Sequence, residues 1–314
     1  MSRRGWWGLI LAGGAGVRLR AFTRAITGEG VPKQFCALLG RETFLDQARR
    51  RAALAIPRSR TLLVLTRTHE HFYRPVIEDI PRIAPSSSRK TAGPRRRSLY
   101  GLLRIATVTP MASVAIFPAD HYVSDDATFM SHVTAAFSAV HARPDLAVLL
   151  GIEAESAETD YGWIESGEAI PETPLFRVWR FVEKPSKAAA QILLERGGLW
   201  NSFVMIGRVP AFLASIRRAA PDLDAAFASP TTALGTPAES GVMERVYSQL
   251  APLSFSSRMA CRAPRESGGA SGEGSSVERL GRARACHGPP SPGSASPPHG
   301  RNGLRRDRRD RMSR

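Results

Sequence analysis

A short apolar run, Trp6 to Ala12, stops at a glycine cluster, and that junction leaves the chain few architectures. Gly13, Gly14 and Gly16 form a loop with almost no side-chain bulk, so backbone N–H groups can close around phosphates. Leu11 and Ala12 lead into the loop, Arg18 follows it, and Lys33 and Gln34 arrive after a further loop. A buried strand, a glycine loop and two cations suit a polyphosphate. Glycines also make ordinary turns, and the loop alone does not separate the two readings.

The bulk properties exclude several classes. At 314 residues with 43% hydrophobic content, the chain has room for one large α/β domain or two smaller ones. A net charge of +16 would suggest a nucleic-acid binder if it were spread over the fold. It is local instead: residues 258–314 carry 13 Arg against 5 acidic residues, and Arg89, Lys90, Arg95, Arg96 and Arg97 add five more charges within 86–98. The remainder carries +3, so no specific nucleic-acid partner is expected. Cys36, Cys261 and Cys286 are far apart with no C-x-x-C, which argues for a reducing, cytoplasmic setting and against a disulfide frame or zinc site. The opening MSRRGWWGLILAGGAG imitates a signal peptide, but its apolar run is short and feeds directly into the glycine loop, so it reads as the first strand. No run approaches the ~20 apolar residues needed to cross a membrane. Oligomeric state is not legible in the sequence.

Along the chain, helical spacing marks Thr43 to Ile56, with Arg49, Arg50 and Arg51 outside and Pro57 as the stop. Thr61 to Thr66 reads as a strand and His69 to Ile80 as a helix, with His69 and His71 expected on the surface. Ser113 to Phe117 is a buried strand running into Pro118-Ala119-Asp120-His121, then a helix from about Asp125 to His141 that Asp125 and Asp126 start. Asp120 stands just past a strand end, where open α/β sheets bind ligands; capping the next segment is the plainer role. Strands follow at Leu146 to Gly151 and Trp179 to Glu183. Next comes a helix from Lys187 to Arg196, capped by Ser186 and closed by Gly197-Gly198. Helices over Ala211 to Arg218 and Ser240 to Leu250 are expected to pack over the Glu183–Asn201 side.

The first stretch resembles the signature of the sugar-1-phosphate nucleotidyltransferases, G-G-x-G-x-R-L followed by P-K, and Pro32-Lys33-Gln34-Phe35 looks like its mannose-1-phosphate guanylyltransferase branch. Val17 stands where many members carry Thr or Ser. Pro118-Ala119-Asp120-His121, Thr159 to Ile164, Glu183-Lys184-Pro185 and Trp200-Asn201-Ser202 match further motifs in order. The resemblance covers about residues 6–256. It implies an α/β, Rossmann-like (GT-A-like) three-layer domain with a mixed, mostly parallel sheet over residues 1–256, and a low-complexity basic tail, 257–314, expected to be disordered. The implied reaction joins a sugar 1-phosphate to an NTP with release of pyrophosphate, most simply GTP and mannose 1-phosphate giving GDP-mannose. Arg18 and Lys33 would act on the triphosphate, with Leu11, Ala12, Gly13, Gly14, Gly16 and Gln34 around the nucleotide. Asp120 would hold Mg²⁺. Glu183 and Asn201 would hold the sugar with backbone at Gly162, and Lys184 the sugar phosphate. Another sugar or base, or an inactive nucleotide-binding relative, are the alternatives.

Two segments depart from the pattern. Where the family has Q-P-x-N-R-G-T-A-P, this chain has Ser86 to Ser98, and no W-S-D occurs near the end. With GC-rich codons, Ser87 to Ser98 read from the third nucleotide gives Q-P-E-N-R-G-T-A-P-A-I. Val277 to Gly288 read from the second gives W-S-D-W-G-E-P-E-R-V-M. Residues 86–98 therefore read as an aberrant, frameshift-like loop, and a second shift falls after Phe255. A genuine basic loop and tail are the alternative.

Overall fold

The computed structural model describes residues 5–14, 20–38, 40–74, 82–83, 94–249 and 275–280. Within them, strands β1 (Trp6–Leu11), β2 (Thr61–Val64), β3 (Arg82–Ile83), β4 (Ser113–Pro118), β5 (Ala147–Glu153), β6 (Gly162–Ala169), β7 (Phe176–Glu183), β8 (Leu199–Arg208) and β9 (Ser275–Leu280) make one sheet. Its order is β3-β2-β1-β4-β8-β5-β9-β7-β6. β3, β2, β1 and β4 pair in parallel, while β8 runs antiparallel to β4, β5 and β6. β7 also runs against its neighbours β6 and β9, so the other seven strands share one direction. The mixed, mostly parallel sheet of the expected α/β fold is observed.

Alternation along the strands builds two cores, one on each face. Ile10, Leu63, Ala115 and Phe117 face helices α2 (Phe44–Ala53) and α5 (Asp126–Ala142) and, further along, α6 (Lys187–Glu195). Leu9, Leu62, Val64, Val114 and Ile116 face α4 (Pro94–Val108), α7 (Val209–Ala219), α8 (Pro221–Ala228) and α9 (Glu239–Gln249). Two short helices, α1 (Arg20–Thr27) and α3 (Glu70–Tyr73), lie between strands in the chain. Local signals start three of the helices. Thr43 and Asp46 form a capping box on α2, Asp125 Oδ1 accepts from the amides of Ala127 and Thr128 at α5, and Ser186 Oγ accepts from Ala189 at α6.

Several expectations are corrected. Helices α7 to α9 pack with α4 over the β1–β2–β4 half, where Tyr100 Oη donates to Glu239 at 2.7 Å, and not over the Glu183–Asn201 side. Arg51 does not face outward: it is 3% exposed, and its Nε donates to Asp126 Oδ1 at 2.6 Å. Asp126 thus spends its carboxylate across to α2. His69 is buried, because a 3-10 turn over Arg67–His69 folds it against the Phe35 ring at 5.9 Å. The helix expected to Ile80 is described only through Tyr73; residues 75–80 lie outside the described residues. Leu199–Arg208, not assigned from the sequence, is a ten-residue strand at the centre of the sheet. Pro94 to Ser98, expected in the aberrant loop, begin α4; residues 84–93 lie outside the described residues. In the tail, Ser275–Leu280 pair with β5 from Ala147↔Ser275 to Ile152↔Leu280, and the rest of 257–314 lies outside the described residues.

Candidate active site

The carboxyl ends of β1, β2 and β4 meet at one edge of the sheet. The Leu11 carbonyl accepts from Ala119 N at 3.2 Å, and Ala12 N donates to the Val64 carbonyl at 2.9 Å. These bonds fix where the glycine loop leaves the sheet. Three consecutive carbonyls of the loop are then held by side chains. Gln34 Nε2 donates to Ala12 O at 3.0 Å and to Gly14 O at 2.9 Å. Gly13 O accepts from Thr66 Oγ1 at 3.1 Å and from an Arg97 guanidinium N–H at 2.8 Å. A Cβ on Gly13 would stand 2.6 Å from Thr66 Oγ1 and 2.8 Å from Arg97 Cδ, so the position demands glycine for space. Gly16 and Arg18 lie outside the described residues.

Lys33 and Gln34 sit in a 3-10 turn, Lys33–Phe35, and both are buried. Lys33 Nζ donates to the backbone carbonyl of Asp120 at 2.5 Å and lies 4.8 Å from the centre of the Phe44 ring. Burial pushes its ammonium below the ordinary lysine range, while the Asp120 charge pulls the other way. Lys33 is thus a buried strut between the turn and the end of β4. The Asp120 carboxylate is about half exposed, 48%, with His121 Nε2 3.8 Å from its Oδ1.

The second group of residues gathers on β6, β7 and β8. Gly162 pairs with Glu183 across the β6–β7 ladder, and a Cβ on Gly162 would lie 3.0 Å from Glu183 Oε2. Lys184 is exposed and left-handed (φ 47°), its amide donating to Tyr161 O at 3.3 Å. Asn201 is buried, and its Oδ1 accepts the amide of Phe203 at 2.9 Å. Phe203 is left-handed as well (φ 56°), inside an irregularity where the β5–β8 register passes from Leu149↔Met205 to Gly151↔Asn201. Ser202 Oγ stitches that irregularity to Leu150 O at 2.6 Å. The Phe203 ring lies 6.1 Å from the His121 ring, so the two groups of residues meet at Asp120-His121.

A model of the nucleotidyl transferase family matches residues 7–231. The chain belongs to that family. Among relatives of this nucleotidyl transferase, the xanthan biosynthesis protein XanB of Xanthomonas campestris pv. campestris is 30% identical over 219 residues, 68% of this chain and 44% of that protein. A Sinorhizobium fredii protein named mannose-1-phosphate guanylyltransferase is 28% identical over 254 residues, 79% of this chain and 46% of that protein. A crystal structure of a protein named mannose-1-phosphate geranyltransferase, from Thermus thermophilus, superposes with a TM-score of 0.74 at 27% identity, over 90% of this chain and 76% of that one. The nucleotidyl transferase chain spans under half the length of the curated relatives it matches.

Among the described residues of the nucleotidyl transferase, no three His, Cys, Asp or Glu side chains gather into a cation cage. A hard divalent cation needs less, since Mg²⁺ binds through one or two carboxylates plus substrate phosphates and waters. The half-exposed Asp120 carboxylate at the sheet edge fits that donor set. Sequence reasoning missed Thr66 and Arg97. Thr66 follows a strand at the ligand-binding edge, which was a usable signal. Arg97 stands inside a run of arginines that gives no hint of burial.

Proposed function

We propose that this nucleotidyl transferase converts GTP and mannose 1-phosphate into GDP-mannose and pyrophosphate. The observation that carries the reading is the convergence of the side-chain-pinned glycine loop with the Lys33–Asp120 strut at the carboxyl edge of β1 and β4. The choice of guanine and mannose rests on Pro32-Lys33-Gln34-Phe35 and on the names that the relatives carry.

A phosphate oxygen of the sugar 1-phosphate is already anionic, so it can attack the α-phosphorus without a general base. A new O–P bond forms as the bond to the β-phosphate oxygen breaks, and pyrophosphate leaves with the electron pair. The chain's task is alignment and charge neutralisation. The glycine loop holds the triphosphate, with Gln34 setting its peptide planes. Arg18 and Lys33 supply positive charge, Lys33 from beneath through its hold on the end of β4. Lys184 binds the sugar phosphate, while Glu183, Asn201 and the Gly162 backbone orient the sugar. Mg²⁺, held by Asp120, would neutralise phosphate charge when bound. The wide spacing of Cys36, Cys261 and Cys286 supports a cytoplasmic setting. Among the described residues no helix is long and apolar enough to cross a membrane.

Pyrophosphate release from a panel of NTPs against several sugar 1-phosphates tests the reading. GTP with mannose 1-phosphate should give the highest kcat/KM; a different best pair would replace the substrate assignment. A second reading, nucleotide binding without turnover, is favoured by the absent W-S-D and Q-P-x-N-R-G-T-A-P motifs. In that case GTP would bind and no pair would release pyrophosphate. Resequencing the gene tests the frameshift account of 86–98 and of the tail, because codons that fail to yield those motifs in the shifted frames would remove it.

A further inference from the structure

The Gly13 carbonyl accepts two hydrogen bonds from side chains far along the chain, Thr66 after β2 and Arg97 in the first turn of α4. We propose that Arg97 is a positioning residue for the nucleotide's phosphates, acting through the Gly13–Gly14 peptide. This rests on the nucleotide-binding reading above and on the frame given for residues 86–98; codons that restore Q-P-E-N-R-G-T-A-P-A-I there would remove Arg97 and overturn it.

Arg97 is 6% exposed, and burying a guanidinium is costly unless its donors are used. Here one donor is spent on a loop carbonyl at 2.8 Å. Its stem occupies the space that a side chain on Gly13 would need, where a Cβ would meet Arg97 Cδ at 2.8 Å and Nε at 3.1 Å. Contact and hydrogen bond together fix the Gly13 carbonyl. A trans peptide points its C=O and N–H in opposite directions, so the Gly14 N–H is fixed as well. Gln34 fixes the two flanking carbonyls, those of Ala12 and Gly14. The loop's donors are therefore oriented before any phosphate arrives, and binding does not have to order them. The buried positive charge also raises the potential beneath the loop, where few waters screen it. Arg97 does this without touching the nucleotide. Its place on α4 ties the loop to the helix that follows residues 84–93.

The test measures GTP and mannose 1-phosphate affinity separately by calorimetry on the full chain. Arg97→Met keeps the stem and removes the donors and charge. It should weaken GTP about tenfold or more, as expected for losing a hydrogen bond from a charged group, and leave mannose 1-phosphate unchanged. Arg97→Lys should recover part of the GTP affinity. Thr66→Val should cost less, and the Arg97→Met/Thr66→Val pair should be less than additive, because both act on one carbonyl. If Arg97→Met lowers the melting temperature while GTP binds as in wild type, Arg97 is structural and the proposal is overturned. Equal weakening of both ligands overturns it too. If Arg97→Met does not fold, Arg97→Lys carries the test with the same outcomes. A wild-type chain that binds no GTP would instead overturn the functional reading, and this one with it.

Discussion

At the glycine-loop end of the candidate site, where we propose that the nucleotide binds, the backbone is glycine, and its shape is imposed from outside by Gln34, Thr66 and Arg97, which hold three successive carbonyls. At the β6–β8 end, the proposed sugar site, the backbone shapes itself: Lys184 and Phe203 are left-handed without being glycine, and Asn201 secures one of them with its own side chain. The first design spends side-chain hydrogen bonds on a flexible segment. The second stores strain, of about 1–2 kcal/mol for each left-handed residue. Imposed shape should fail when a clamp or its clearance is lost. Stored strain should reveal itself as stability regained when the residue becomes glycine.

The largest effect should come where the two ends meet. Lys33→Met removes the buried ammonium that ties the 3-10 turn to the Asp120 carbonyl, so loop and β4 lose their common reference. Turnover should fall about 10²–10³-fold, the range for losing one preorganised electrostatic group. Steady-state pyrophosphate release checks it, and a loss below about tenfold would mean that the ends are held in register by something else.

Next come two variants that should separate the ends. Gly13→Ala puts a methyl 2.6 Å from Thr66 Oγ1, an overpacking cost of about 1–3 kcal/mol. GTP should bind about tenfold more weakly and mannose 1-phosphate normally. Asn201→Ala removes the acceptor of the Phe203 amide and should give the reverse pattern, about tenfold on the sugar phosphate alone. If either variant weakened both ligands, the two ends would form one mechanical unit and the contrast between them would collapse.

What the sequence revealed follows the same division. The strand, the glycine loop and the Pro32–Phe35 motif were legible because each is written in neighbouring residues, as were the helix starts at Asp125 and Ser186. β8 was not, since it is buried along most of both faces, lacks alternation and carries the polar pair Asn201-Ser202 straight after Leu199-Trp200. The inward turn of Arg51 depends on Asp126, 75 residues away, and the packing of α7 to α9 depends on α4; no local pattern encodes either. Six residues of the Gly- and Ser-rich tail, Ser275–Leu280, pair with β5, which no local pattern marked. The imposed shape of the glycine loop was half visible. Its glycines announced the freedom, but the clamps Thr66 and Arg97 come from 53 and 84 residues further on.

The smallest effect isolates stored strain by comparing two variants of one residue. Lys184→Ala and Lys184→Gly both delete the exposed ammonium, so both should weaken mannose 1-phosphate to the same degree. They differ in backbone: alanine keeps the cost of φ 47°, and glycine does not. Glycine should therefore be the more stable of the two by about 1 kcal/mol, read as a higher urea midpoint at unchanged m-value. Elsewhere in a strand end glycine is the worse choice by a similar amount, because it frees the unfolded chain. The sign of the difference is what matters. Glycine above alanine means that Glu183-Lys184-Pro185 holds its cation in place by strain; alanine above glycine means that the left-handed turn is cheap and the contrast between the two ends rests on Phe203 and Asn201 alone.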